Sequence, residues 1–311
     1  MKSSENARTI LYIAGYGRSG STLLERILSS NERIFGTGEL SRLPDFLNYR
    51  SWTCSCGDEI GDCDFWGEVI KGLEKMEYSS KTWKRIRNKH ESFASFYHFF
   101  TRRLGSEREP YIDIMKQLFE TIFQHLPEET DYVVDSSKTA RKSFFRPLVL
   151  SRFVGLEVKV IHLVRDGRGC MWSNLKGSNR KMERGEDPNL PFAALRTAIS
   201  WPLANTGAQL FAHFAESENY LRVKYEDFVN DPDRSLNRIG KFINLDLEPQ
   251  VEMLKNQEPI PKSHQLAGNR MRKKKSIVLQ EDLEWKDSLS RSQNLLFWLL
   301  DWPWALKYDY G

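Results

Sequence analysis

The residues best suited to do chemistry stand near the N-terminus, in Gly15-Tyr16-Gly17-Arg18-Ser19-Gly20-Ser21-Thr22. An apolar run, Ile10 to Ala14, precedes them, and a helical pattern, Ser21 to Leu28, follows. A strand, a glycine-rich turn and a helix start, in that order, make an anion site. Backbone N–H groups and the helix N-terminus face the ligand. Gly15 and Gly20 have the spacing of the two glycines of a phosphate-binding loop, and Ser19, Ser21 and Thr22 add hydroxyl donors. A nucleoside-triphosphate loop needs lysine directly after the second glycine, to reach the outer phosphates. Ser21 holds that position here, and the cation lies inside the loop, at Arg18. The spacing therefore predicts a site for a 5′-phosphate-type anion without triphosphate–magnesium chemistry. The competing reading is an ordinary Gly/Ser turn, and the agreement of strand, loop and helix counts against it.

A second anion site is read in Val160-Ile-His-Leu-Val-Arg165-Asp166-Gly167-Arg168-Gly169-Cys-Met-Trp-Ser173. Arg165 falls at the carboxyl end of a strand and Ser173 about two turns into the helix behind it. A guanidinium and a hydroxyl on one crevice can together hold a phosphate. The alternative is a surface Arg165 paired with Asp166. A third basic segment runs Ser263 to Arg272, then Lys273 to Lys275. Gly268 there permits close backbone approach, and Arg270 or Arg272 has the reach for a phosphate; a solvated basic loop is the bland reading.

With these segments the chain resembles the sulfotransferase superfamily that uses 3′-phosphoadenosine 5′-phosphosulfate (PAPS). Arg18-Ser19-Gly20-Ser21-Thr22 is similar to that family's 5′-phosphosulfate loop, in the form with arginine found in the tyrosylprotein, carbohydrate and many bacterial branches. The resemblance implies that Gly17 to Thr22 hold the 5′-phosphosulfate and that Arg165 and Ser173, eight positions apart, hold the 3′-phosphate. It further implies that Gly268, Asn269, Arg270 and Arg272 close over that phosphate. Tyr220 to Asp227 also resembles a family segment, of structural role. The likeness runs from about Thr9 to about Arg272 and names no acceptor.

The same resemblance implies that a Gly-Glu after the second strand supplies the base, here Gly38-Glu39. A partly buried carboxylate can have its pKa raised toward working pH, which suits that role; a Glu stabilising a helix N-terminus is the other reading. Lys138 follows a strand end on the crevice side. In the family a lysine or serine at this place contacts the sulfonate or the bridging oxygen, where a cation stabilises the charge that grows as the S–O bond breaks. Arg18 shares this task. His162 lies three residues before Arg165, inside the strand, and is read as packing. His90 and His98 fall in the inserted segment and are minor candidates. The resemblance implies a reaction that needs no metal, and none of the site residues is read as a ligand. Cys54, Cys56 and Cys63 stand within ten residues. Three states stay open for them: reduced thiols, one disulfide with a spare thiol, or zinc with a fourth ligand from elsewhere. Cys170 is read as buried packing.

The elements that must position these groups are legible as short apolar runs without alternation: Ile10 to Ala14, a run before Gly38, Tyr132 to Asp135, Val158 to Val164 and Tyr220 to Lys224. Separated by helical stretches, they predict an α/β fold of P-loop type, a doubly wound parallel sheet with helices on both faces. The segment 51–126, rich in aromatic and basic residues such as Phe93, Phe96, Tyr97, Phe99, Phe100, Arg102 and Arg103, predicts an inserted helical cap in a single domain over 1–311. Such a cap would lie over the carboxyl ends of the strands.

The chain has 311 residues, long enough for a sizeable core. It carries 46 Lys plus Arg against 42 Asp plus Glu, a net charge of +4, too mild to demand nucleic acid yet suited to an anionic ligand. With 40% hydrophobic and 28% charged residues, wholesale disorder and a membrane bundle are excluded. Apolar runs such as Leu295 to Leu300 are too short to span a bilayer. The polar start, Met1 to Arg8, is not read as a signal peptide, and a cytoplasmic location is expected. The reading is a PAPS-dependent sulfotransferase that yields 3′,5′-bisphosphoadenosine and a sulfated small molecule, carbohydrate or lipid. A P-loop small-molecule kinase is the alternative.

Overall fold

A computed structural model describes residues 8–47, 52–95, 108–177, 181, 185, 192–261, 263–274 and 279–311, the side chain of Arg270 excepted. Phe96, Tyr97, His98, Phe99, Phe100, Arg102, Arg103 and Lys275 lie outside the described residues.

Five strands form one parallel sheet: β1 (Thr9–Ala14), β2 (Ile34–Gly36), β3 (Tyr132–Asp135), β4 (Val158–Val164) and β5 (Tyr220–Lys224), in the order β2-β3-β1-β4-β5. The strands are the expected ones, and the class is the expected α/β. β1 is central and buried along its whole length. Alternate residues of a strand leave by opposite faces, so an unbroken apolar run means that both faces are covered. Ile10, Tyr12 and Ala14 join Val133, Val158 and Val160 in one core cluster. Leu11 and Ile13 join Val134, Ile161, Leu163 and Val223 in another, under Leu23, Leu24 and Ile27 of the first helix, α1 (Ser21–Leu28).

The chain between β2 and β3 forms helices, as expected. The longer described ones are Asp64–Leu73, Ser80–Glu91 and Arg108–Gln124. Their Trp66, Trp83, Tyr111 and Phe119 are fully buried and belong to the core cluster with Ile10 and Tyr12. The inserted helices thus build one face of the sheet's core. They are joined to it by a buried ion network. Arg146 donates to Asp135, at the end of β3, at 2.8 Å and to Glu91, at the end of helix Ser80–Glu91, at 2.5 Å. All three side chains are at most 1% exposed.

A third cluster packs the helix Arg291–Lys307 on the helices Gly167–Leu175 and Ala193–Phe214, around Trp201, Phe297 and Tyr308. No described helix is long and apolar enough to cross a membrane.

Candidate active site

The strand order reverses direction about β1, and in open parallel sheets ligands bind beyond the carboxyl ends of the strands at such a point. There the structure has a cleft of about 610 Å³. The turns after β1, β2, β3 and β4 all reach it: Gly17, Arg18 and Gly20, then Glu39, then Lys138, then Arg165 with Ser173. Gly268 and Asn269 close its far side.

The first turn is shaped by its glycines. Gly15 has φ +112°, and a Cβ there would stand 2.4 Å from the Leu163 carbonyl oxygen of β4. Gly20 has φ +88° and lies against the Tyr225 ring, which a Cβ would meet at 2.6 Å. Gly20 ends the turn and Ser21 and Thr22 begin α1, so the helix N-terminus opens into the cleft. The Gly15 amide donates to Thr139 Oγ1 at 3.0 Å, which ties this turn to the one after β3. Arg18 adopts φ +72° and donates to Asn174 Oδ1 at 3.3 Å and to the Gly177 carbonyl at 2.7 Å. Ser19 is buried and its hydroxyl faces Cys170 at 3.7 Å. Burial holds that thiol's pKa up at about 12, so Cys170 is a packing residue, as expected.

Arg165 leaves the end of β4 and is 6% exposed. Its guanidinium donates to the Arg18 carbonyl at 3.0 Å and stacks over Tyr225 at 4.6 Å. The two anion elements read from the sequence therefore touch. Gly169 leaves room for this guanidinium, since a Cβ there would stand 3.1 Å from Arg165 Nε. Asp166 caps the helix Gly167–Leu175 and pairs with Arg168 at 2.8 Å, so it is not the partner of Arg165. That partner is Asp282, whose Oδ2 accepts from Arg165 Nη2 at 3.2 Å.

Glu39 and Lys138 meet at the other end of the cleft. Lys138 Nζ lies 2.6 Å from Glu39 Oε1, and Arg42 Nη1 lies 3.7 Å from Glu39 Oε2. The carboxylate is 21% exposed. Two cations hold this partly buried carboxylate. Lys138 takes a left-handed backbone, φ +64°, and its carbonyl accepts from the Tyr12 hydroxyl at 2.5 Å. Beneath this pair lies Glu25, fully buried, whose Oε1 accepts from the Gly38 amide at 2.6 Å. Burial pushes its pKa up to about 7.

The late segment is split. Gly268 packs on Thr22, and the Asn269 amide donates to Thr22 Oγ1 at 3.0 Å, which brings both residues to the glycine loop. Arg272 is not brought there. It is 2% exposed, donates to the Thr53 carbonyl at 3.1 Å and sits over the Trp52 ring. The stacked, hydrogen-bonded guanidinium braces two loops, and Arg272 is not among the residues lining the cleft, against the phosphate role expected for it. The side chain of Arg270 lies outside the described residues.

His162 is a packed strand residue, as expected. Its ring nitrogens face the Tyr220 hydroxyl at 2.6 Å and Asn205 Oδ1 at 2.9 Å, and burial lowers its pKa from 6.5 to about 4. His90 is buried against Tyr111. Among the described residues, none of the insertion lines the cleft. Sequence reasoning missed Tyr16, Arg42, Asn174, Tyr225 and Asp282 as cleft residues. Tyr16 and Tyr225, inside segments already read, and Asn174, beside one, carried a positional signal; Arg42 and Asp282 did not.

The model of a family described as the sulfotransferase family matches residues 11–249. The sulfotransferase domain from the Synechococcus PCC 7002 olefin synthase shares the fold: it covers 99% of this chain and 97% of its own, at 19% identity and a TM-score of 0.51. Sulfotransferase STF9 from Mycobacterium avium covers 98% of this chain and 78% of its own, at 10% identity and a TM-score of 0.49. No curated protein matches the sequence.

Proposed function

This chain belongs to the sulfotransferase family, and from that premise we propose that it moves the SO₃ group of PAPS to an acceptor hydroxyl or amine, with Glu39 as the base. One observation carries the reading. A single cleft is lined by Arg18, Arg165 and Ser173 and also by the Glu39–Lys138 pair. Both charged ends of a 3′-phosphorylated adenylate then have cations and hydroxyls within reach, and the base stands beside them.

In this reading Gly17 to Thr22 hold the 5′-phosphosulfate on amides and hydroxyls, and Arg165 with Ser173 takes the 3′-phosphate. Gly268 and Asn269 lie over the loop. The acceptor oxygen attacks sulfur in line as Glu39 takes its proton. The S–O bond to the 5′-phosphate breaks, and its electron pair leaves on the bridging oxygen. Lys138, 2.6 Å from Glu39, and Arg18 stabilise that charge. The products are the sulfated acceptor and 3′,5′-bisphosphoadenosine. A small molecule, carbohydrate or lipid fits the acceptor role. Ser21, in place of a lysine after Gly20, sets the loop apart from that of a kinase.

The test is release of 3′,5′-bisphosphoadenosine from PAPS across an acceptor panel, with Glu39→Gln beside the parent. The variant should bind the bisphosphate normally and turn over more than about a hundredfold more slowly. Full turnover in Glu39→Gln removes Glu39 as base. Stabilisation by ATP with magnesium, and none by the bisphosphate, removes the donor assignment.

A further inference from the structure

We propose that Cys54, Cys56, Cys63 and His264 form a structural zinc site, outside the cleft and independent of the reaction assigned above. Their four ligand atoms all lie within 4.8 Å of one another. Cys56 Sγ and Cys63 Sγ are 3.7 Å apart, and Cys63 Sγ is 3.2 Å from His264 Nδ1. Four ligands about 2.3 Å from one ion at tetrahedral angles stand about 3.8 Å apart, so the cluster needs only small adjustments to close. Three thiolates and one imidazole are a soft, four-ligand set that suits zinc and leaves no position for substrate.

The local fold presents these atoms together. Gly57, at φ +113°, turns the chain directly after Cys56, and the Gly57 amide donates to the Cys54 carbonyl at 3.2 Å. Cys63 caps the helix Asp64–Leu73, and the Trp66 amide donates to its sulfur at 3.5 Å. An amide aimed at sulfur stabilises a thiolate. The His264 ring is held between Phe35, stacked at 5.8 Å, and Phe65, also at 5.8 Å. The Trp66 indole donates to the His264 carbonyl. Asp58 accepts from Cys56 at 3.5 Å and is exposed, so water can solvate its carboxylate when the thiol gives up its proton. Binding releases one proton per thiol and changes no oxidation state.

The ion would join two segments some two hundred residues apart. Ser55 and Gln265 already exchange hydrogen bonds, with the Gln265 amide donating to Ser55 Oγ at 2.7 Å. The Trp52 indole donates to the Leu266 carbonyl at 3.0 Å. The Leu266 amide donates to Thr37 and the Glu39 amide to Ala267. Zinc at His264 thus braces the strand of chain that runs on to Gly268 and Asn269.

The test uses the full chain, purified under reducing conditions without chelator. Elemental analysis should find about one zinc per chain. Cobalt(II) added to the stripped protein should give the intense visible bands of a tetrahedral site with thiolate charge transfer. Cys56→Ser and His264→Asn should each weaken metal binding more than about tenfold, and Cys170→Ser should not. Stripping zinc should lower the melting temperature of the parent but not of those two variants. Protein free of zinc and without the cobalt spectrum overturns the site, and so does iron in its place. Two titratable thiols in denatured, unreduced protein, where four are expected, would assign a disulfide instead. Parent-like zinc in His264→Asn would remove the fourth ligand.

Discussion

Asp282 stands where the proposed function puts a phosphate. It pairs with Arg165 at 3.2 Å and lies 3.8 Å from Lys176, and its side chain is 31% exposed. A buried cation rarely waits without a counter-charge. Asp282 fills that role for Arg165, and under the proposed function a 3′-phosphate would displace it. A partly exposed ion pair is worth up to about 1 kcal/mol. Asp282→Asn should therefore tighten 3′,5′-bisphosphoadenosine about twofold to fivefold by calorimetry. An unchanged or weaker affinity would mean that Asp282 helps bind the nucleotide or stays clear of it. The same residue shows a limit of sequence reasoning. An acid at a phosphate site runs against the pattern sought, and nothing in its neighbours' types points to Arg165. Arg272 fails in the opposite sense. Its charge and spacing fit a phosphate ligand, but Trp52 and the Thr53 carbonyl supply a partner that only the folded chain brings near.

At the scale of elements, the network around Arg146 decides how the inserted helices meet the sheet. Glu91 ends one of those helices and Asp135 ends β3, and Arg146 bridges them with the Tyr111 hydroxyl donating to Glu91 at 3.0 Å. Asp135 also accepts from the Ser137 amide at 3.0 Å, and Ser137 Oγ accepts from the Ser41 amide at 2.8 Å. The network thus holds the two turns that carry Lys138 and Glu39. Removing the cation leaves two buried acids facing each other. Arg146→Met should cost roughly 3–5 kcal/mol in urea unfolding. A loss below about 1 kcal/mol would show that the helices are held by their apolar faces alone.

The strands were legible because each is a short, mostly apolar run between helical stretches; Thr9–Ala14 and Val158–Val164 are found where the runs stand. The two segments that meet at the cleft were legible because their glycines and cations are local in sequence. The aromatic insertion was read as a cover for the strand ends. Of its described residues, Trp66, Trp83 and Tyr111 fill the core, and composition does not separate core aromatics from covering ones. The partnership of Cys63 with His264 spans 201 positions and leaves no periodicity to read.

For the whole molecule, stability against pH sums over buried titratable groups of opposite sign. His162 has a folded pKa near 4 and an unfolded one near 6.5. Between those values the unfolded chain holds a proton that the native chain refuses, so this residue makes stability rise with pH. Glu25 does the reverse. Burial lifts its folded pKa from 4.5 to about 7, so the native chain holds the extra proton and stability falls as pH rises through that range. Asp301, fully buried in the helix Arg291–Lys307 and lifted by burial from 3.8 to about 8, acts with Glu25. The contributions overlap between pH 4.5 and 6.5 and oppose one another, so the parent's own profile hides them. Differences between variants do not. The stability of His162→Gln relative to the parent should fall by about 3 kcal/mol between pH 4 and 6.5, because only the parent gains on that rise. Glu25→Gln relative to the parent should move the other way between 4.5 and 7, gaining as the parent loses. Urea midpoints taken across this range read both. A pH-independent gap between His162→Gln and the parent would mean that the ring is protonated in the native state, with Asn205 and Tyr220 stabilising the charge.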